Sequence, residues 1–227
     1  MTLGRSGVPY ITTWSAEESL PTTVIQRPGG GIAYLDETLV DRDENGVLWQ
    51  RVPSRPGRGR PEFGKVHPLR QRRAMRRLLC GICGGVPDRT DEGVLWLVRD
   101  FRGDWPDWPD GMAATEPPVC LPCAHRSVGA CPALRIGFVA VRVGQSTVAG
   151  VYGTVYQGGQ PFPAPVDDAV VAFDDSAIRW VQAAQLVREL GDCTILRAMP
   201  ERRDQLWQRD RPGVPNGVGD GTQAHPA

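Results

Sequence analysis

The spacing of apolar and polar positions changes several times along this chain, and each change predicts an element. After Pro68 the spacing is helical. Met75, Leu78, Leu79 and Ile82 fall on one stripe, and Pro68 suits a first helical position, where a missing N–H costs nothing. Gly93-Val94-Leu95-Trp96-Leu97-Val98 is a continuous apolar run of strand length. Leu134 to Val143 and Thr147 to Tyr156 alternate, which predicts a hairpin about Gly144-Gln145-Ser146. Ala169 to Phe173 reads as a strand. Trp180, Ala183, Ala184, Val187 and Leu190 return to helical spacing, so a helix is expected from a Ser176 cap to Leu190, closed by Gly191. Cys193 to Arg197 is a last strand.

Before Pro68 the pattern is weaker. Thr22 to Gln26 is a strand and Gly29-Gly30-Gly31 a turn, while Thr38 to Asp41 and Val47 to Val52 can pair across Asp43-Glu44-Asn45-Gly46. Pro53 to Pro61 has the Arg, Gly and Pro content of a linker. The second cysteine pair opens a short helix, Pro122 to Ala130, stopped by Pro132. The fold class expected is α+β, in five parts: a β-rich segment (1–52), a linker (53–66), a central metal module (67–132), a hairpin–strand–helix–strand unit (133–199) and a disordered polar tail (200–227) with room for a helical turn at Leu206-Trp207.

Composition changes this picture in one place. The formal net charge of the 227 residues is zero, yet Arg51 to Arg77 carries nine Arg and Lys65 against Glu62 alone. Asp88 to Asp110 holds seven acids against Arg89, Arg99 and Arg102. Met1 to Tyr10 has no apolar segment of a secretory signal, and the most apolar stretch, Ala133 to Tyr156, is broken by Arg135 and Arg142. Six cysteines without such a signal read as reduced thiols, so a soluble cytoplasmic protein with no membrane partner is the expectation.

Candidate chemistry centres on Cys80-Gly-Ile-Cys83 and Cys120-Leu-Pro-Cys123. Two C-x-x-C units supply the four thiolates of a closed tetrahedral zinc site, which stabilises a fold and leaves no open position for catalysis. Gly84-Gly85 after the first pair permits a knuckle turn, and the second pair lies at a helix start, where the macrodipole favours thiolate. Two redox pairs or an iron–sulfur site are the alternatives. Eight helical residues, about 12 Å, separate Cys123 from Cys131, so Cys131 is excluded from the same ion. Cys131 and Cys193 read as small buried apolar groups, and His125 as a surface or neighbouring group.

Knuckle, hairpin and ligand-bearing helix together resemble the treble-clef zinc fingers over Arg70 to Leu134. The order of basic helix, C-x-x-C, strand and C-x-x-C resembles the HNH-type nucleases within that group. Those enzymes carry histidines between the pairs for a second, catalytic metal. This chain has none from Gly84 to Val119; its histidines are His67, His125 and His225. The resemblance therefore implies the scaffold and not the activity, with a divergent nuclease as the alternative. In composition and cysteine module the whole chain also resembles accessory proteins of high-GC bacteria and their mobile elements. No Walker A loop, dinucleotide glycine motif or nucleophile elbow is present.

Two surfaces can bind a partner. Arg70, Arg73 and Arg77 form a row on the Pro68 helix beside Arg72 and Arg76, fitted to the phosphates of DNA or RNA. A solvated face, or intramolecular pairing with Asp104, Asp107 and Asp110, is the bland alternative. Trp105 and Trp108 in the long loop Arg99 to Val119 can anchor a protein partner, or fold back onto the module. The role expected is a zinc-stabilised, non-enzymatic binding or regulatory protein, with nucleic acid favoured and a protein adaptor second.

Overall fold

The computed structural model describes residues 7–159 and 161–200; the tail beyond them, with Leu206 and Trp207, lies outside. In chain order the strands and helices begin with β1 (Thr12–Trp14), β2 (Val24–Gln26), β3 (Ile32–Tyr34), β4 (Leu48–Trp49), β5 (Pro61–Val66) and α1 (Pro68–Arg77). There follow β6 (Arg89–Thr90), β7 (Gly93–Arg99), β8 (Ala113–Ala114), α2 (Leu121–Ala130) and α3 (Pro132–Ile136). The last three are β9 (Phe138–Gln157), β10 (Ala164–Ala172) and β11 (Val181–Ile195). The fold is mixed α+β, as its apolar pattern predicts in class.

A seven-stranded sheet organises the molecule around β9. β11 runs antiparallel along one edge of β9, while β7 and then β10 occupy the other. β6 continues beyond β7, and on its far side β11 pairs with β4 in parallel and with β8 antiparallel. Separate two-stranded ladders join β1 to β5 and β2 to β3.

Two long strands replace elements expected to be shorter. β9 runs straight through Gly144-Gln145-Ser146, where the alternation predicts a hairpin. Its glycines mark close backbone approach instead. A Cβ on Gly150 would lie 2.3 Å from the Val171 carbonyl oxygen, and one on Gly153 2.2 Å from that of Gln182. Val181 to Ile195 is strand rather than helix, preceded by a 3-10 turn at Ser176–Trp180. Its pairing with β9 shifts register between Ala183 and Gln185 and again between Val187 and Arg188. The first shift inserts a residue into β11 and the second inserts Ala149 into β9, so buried Ala183 and Leu186 stand three apart and, with Val187 and Leu190, mimic the spacing of a helix.

The sheet also crosses the expected boundaries at 52, 66 and 132. Pro61 to Val66, placed in the linker, is β5 and pairs with β1. Strands from before and after residue 132 share one sheet, because β7 bonds β9 from Val94↔Val143 to Arg99↔Phe138. Leu39–Asp41 is a 3-10 turn rather than a strand, since the Asp41 carboxylate accepts the Thr38 N–H at 2.6 Å and its hydroxyl at 2.8 Å. Only the bridge Arg42↔Leu48 remains of the expected hairpin there. The short helix expected to stop before Pro132 does end at Ala130, and a separate five-residue helix, α3, starts on Pro132.

β7 is buried on both faces, as its unbroken apolar run requires. Val94, Trp96 and Val98 pack with Val139, Val141, Val143, Leu190 and Trp108. Leu95 and Leu97 face the opposite way, onto Cys80, Cys123, Leu121 and Ala124. The cysteine module therefore rests directly on the central sheet. No helix among the described residues is long and apolar enough to cross a membrane.

Candidate metal centre and basic surface

α1 ends at Arg77 because Leu78 takes the left-handed conformation (φ 48°) and its N–H bonds the Ala74 carbonyl. The chain passes from there into Cys80. The Cys80 N–H donates to the Gly85 carbonyl at 2.8 Å and the Gly84 N–H to the Cys80 carbonyl at 2.8 Å, which closes a knuckle around the first sulfurs. Gly84 has φ +69°, and a Cβ there would lie 3.1 Å from the Tyr10 ring. The N-terminal segment covers this turn: Tyr10 and Ile11 donate N–H groups to the Ile82 and Gly81 carbonyls at 2.9 and 3.2 Å.

The second pair arrives from the opposite direction. Asp88, Leu95 and Val119 are joined by backbone hydrogen bonds at 2.9–3.0 Å, which fix the approach to Cys120 against the β6–β7 hairpin. Asp88 also pairs with buried Arg142 of β9. Cys120 caps α2, and its carbonyl accepts the Cys123 and Ala124 N–H groups.

The four sulfurs of Cys80, Cys83, Cys120 and Cys123 lie within 4.8 Å of one another, with Cys83 and Cys120 3.7 Å apart. Ligands about 2.3 Å from one tetrahedral ion are separated by about 3.8 Å, so the cluster can coordinate a metal ion. Cys80 and Cys123 are fully buried. The hydrogen bond with Cys120, then burial, push the Cys80 thiol up. Burial, then the Cys80 sulfur, push Cys123 up to about 11. A dication supplies the charge that lets such sulfurs ionise. The Arg126 guanidinium donates to the Cys123 sulfur at 3.4 Å, and all six cysteines are free thiols.

The remaining singled-out residues divide differently from the expectation. His125 lies at a half-buried position with its ring bonded to the Pro200 carbonyl at 2.7 Å. Cys131 and Cys193 are half-buried, not fully buried. Trp108 is 7% exposed and Trp105 half-buried, both packed on the β7–β9 core, and the Trp105 indole N–H bonds the Asp110 carbonyl at 2.9 Å. The two indoles thus serve as core rather than as presented anchors, because the small module needs apolar volume over β7.

The arginines do not form one exposed row. Arg70 is 6% exposed and makes a bidentate pair with Glu17 at 2.6 and 2.7 Å. Arg72 stacks over the Trp49 ring at 4.5 Å from its centroid. Arg76 bonds Glu44 at 2.7 Å. The acids that meet these side chains therefore belong to residues 17–44, and not to the loop of Asp104, Asp107 and Asp110. Arg73 and Arg77 are exposed on α1.

The Glu17–Arg70 pair is the feature sequence reasoning missed. Glu17 also accepts the Trp14 N–H at 2.8 Å and the Arg55 N–H at 2.7 Å. Burial alone would raise its carboxyl, but these bonds, Arg70 foremost, outweigh burial and bring it down to about 2. His67 is fully buried beside it, 3.8 Å away, with Nε2 3.3 Å from the Pro53 carbonyl. Burial first, and the Arg70 charge second, lower its pKa. This polar knot fastens the Arg-rich loop 53–60 to the start of α1. The available signal was the helical phase of Arg70, four residues before buried Ala74.

Comparison with protein-family models, curated proteins and solved structures returns no match for this chain.

Proposed function

We propose that this chain is a zinc-stabilised, non-enzymatic binding or regulatory protein whose partner is nucleic acid. The single observation that carries the reading is a set of exposed, unpaired guanidiniums. Of the basic groups from Arg51 to Arg77, Arg55, Arg58, Arg60, Arg73 and Arg77 are exposed and have no carboxylate partner among the described residues. Free guanidiniums on a fixed scaffold gain most from phosphate, which they can grip bidentately.

An all-sulfur tetrahedral set favours zinc. The succession of knuckle, β6–β7 hairpin and α2 supports a treble-clef scaffold without enzyme chemistry. His67 is buried and His125 is bonded to a backbone carbonyl, so neither is offered to a substrate. A reducing, cytoplasmic setting keeps these thiols free to act as ligands.

The test is binding of the zinc-loaded protein to duplex DNA and to RNA over a salt series. The double variant Arg73→Gln, Arg77→Gln should bind more weakly and flatten the salt dependence by about 0.9 for each duplex phosphate no longer neutralised. Its zinc content and melting temperature should match wild type. No binding at low salt would overturn the reading.

A further inference from the structure

The β1–β5 ladder contains an irregularity that the proposed function does not use. Thr12 pairs with Val66 and the adjacent Thr13 with Glu62, so neighbouring residues on β1 meet residues four apart on β5. Phe63, Gly64 and Lys65 have no partner on β1 and bulge from the ladder, all three exposed. Phe63 is 68% exposed, whereas Trp96, Trp49 and Trp108 are buried in the core. Bulges redirect side chains and cluster next to functional sites. An aromatic at the tip of one has been turned away from any core.

The loop that leads into this strand is cationic and held in place against β1. The Ser15 N–H donates to the Arg60 carbonyl at 2.8 Å and the Arg60 N–H to Ser15 Oγ at 2.9 Å. With the Arg55 N–H on Glu17, these bonds set the loop beside a hollow of about 470 Å³ lined by Ala16, Arg55, Pro56 and Arg58. Lys65, two residues beyond Phe63, pairs with Glu62 at 3.2 Å on the exposed surface, an interaction that yields readily to a phosphate.

We infer that this bulge and loop form a binding site for single-stranded nucleic acid, with a base stacked on Phe63 and phosphates taken by Arg55, Arg58 and Arg60. A duplex keeps its bases stacked on one another and offers phosphates only, leaving an exposed phenyl ring with nothing to cover it. An unpaired base brings a π-face and a phosphate together, the two chemistries presented here. The inference rests on the nucleic-acid reading above and sharpens it to strandedness.

The experiment measures binding of the zinc-loaded full chain to a fluorescent oligothymidine and to a duplex of the same length, with polyglutamate as competitor. The single strand should bind more tightly. Phe63→Ala should weaken single-strand binding by at least about fivefold and leave duplex binding unchanged, while Phe63→Trp restores single-strand affinity. Unchanged melting of both variants would show that the effect is local, as expected for an exposed ring. Equal affinity for both forms, unaffected by Phe63→Ala, would overturn this inference and leave the nucleic-acid reading standing. Binding to neither, or tighter binding of polyglutamate than of either oligonucleotide, would overturn both and make the surface one for acidic protein segments.

Discussion

The side-chain amide of Gln71 completes an edge of β11 that no strand reaches. Its Nε2 donates to the Leu186 carbonyl at 2.8 Å, and its Oε1 accepts the Leu186 N–H at 2.8 Å. β4 covers Gln182 and Ala183, β8 covers Arg188 and Glu189, and the amide fills the interval between them. Nε2 also reaches the Thr115 carbonyl at 2.7 Å. A fully buried glutamine is tolerated here because every polar atom it carries is used.

Gln71→Met keeps the side-chain length but strands the buried Leu186 N–H and carbonyl, and unpairs the half-buried Thr115 carbonyl. It should destabilise the protein by about 3 kcal/mol, since each buried orphan costs about 1–3 kcal/mol. Chemical denaturation of the zinc-loaded protein measures this.

The cysteine cluster should hold one zinc ion per chain, counted by elemental analysis. Cys123→Ser should lose the metal and unfold the region around α2 and the knuckle, because the four sulfurs act as one ligand set. Cys131→Ser should keep both metal and melting temperature. Equal loss in the two variants would mean a different ligand set.

Stability should decline as pH falls, in two stages. His67 is held neutral in the fold below its ordinary 6.5, whereas the unfolded ring takes up a proton; stability from this group therefore erodes from about pH 6.5 downward. The Glu17 carboxyl, about 2 in the fold against an ordinary 4.5, contributes in full above pH 4.5 and is lost as pH falls towards 2. Its share is about 3 kcal/mol. Denaturation midpoints across pH should show the lower stage flattened in Glu17→Gln and the upper one in His67→Phe.

No cleavage of single-stranded or duplex substrates above a chelated control is expected with Mg²⁺ or Mn²⁺. Turnover abolished by His125→Ala would restore the nuclease reading.

The start of α1 and the cysteine cluster were legible because their signals are local. Pro68 fixes a helix start, and the two C-x-x-C units with Gly84 write out a knuckle within a few residues. β11 was not legible, because a residue inserted after Ala183 breaks its alternation into helical spacing, and only the partner strand reveals it. β9 was split at Gly144 for a related reason: a glycine reads as a turn until the opposing backbone is known. Glu17 was invisible, since its partner Arg70 stands 53 residues away and only the helical phase of Arg70, in line with Ala74, pointed to burial. The same pair removed Arg70 from the binding row, while Phe63 looked like part of a linker until its ladder was seen.

The parallel pairing of Leu48 with Gln182 has a consequence for the order in which the chain can fold. As synthesis proceeds from the N-terminus, β4 and the inner face of α1 have no sheet to join until β11 emerges, more than a hundred residues later. The four cysteines are complete once Cys123 is made, and β7 lies between them. The cysteine cluster can therefore gather on the ribosome first, with β9 added to the edge of β7 and β4 docking only once β11 is made. Pairings of such long sequence separation close slowly and leave apolar surface open meanwhile. A metal ion taken up by the four cysteines at that stage would shorten the interval in which this surface stays open.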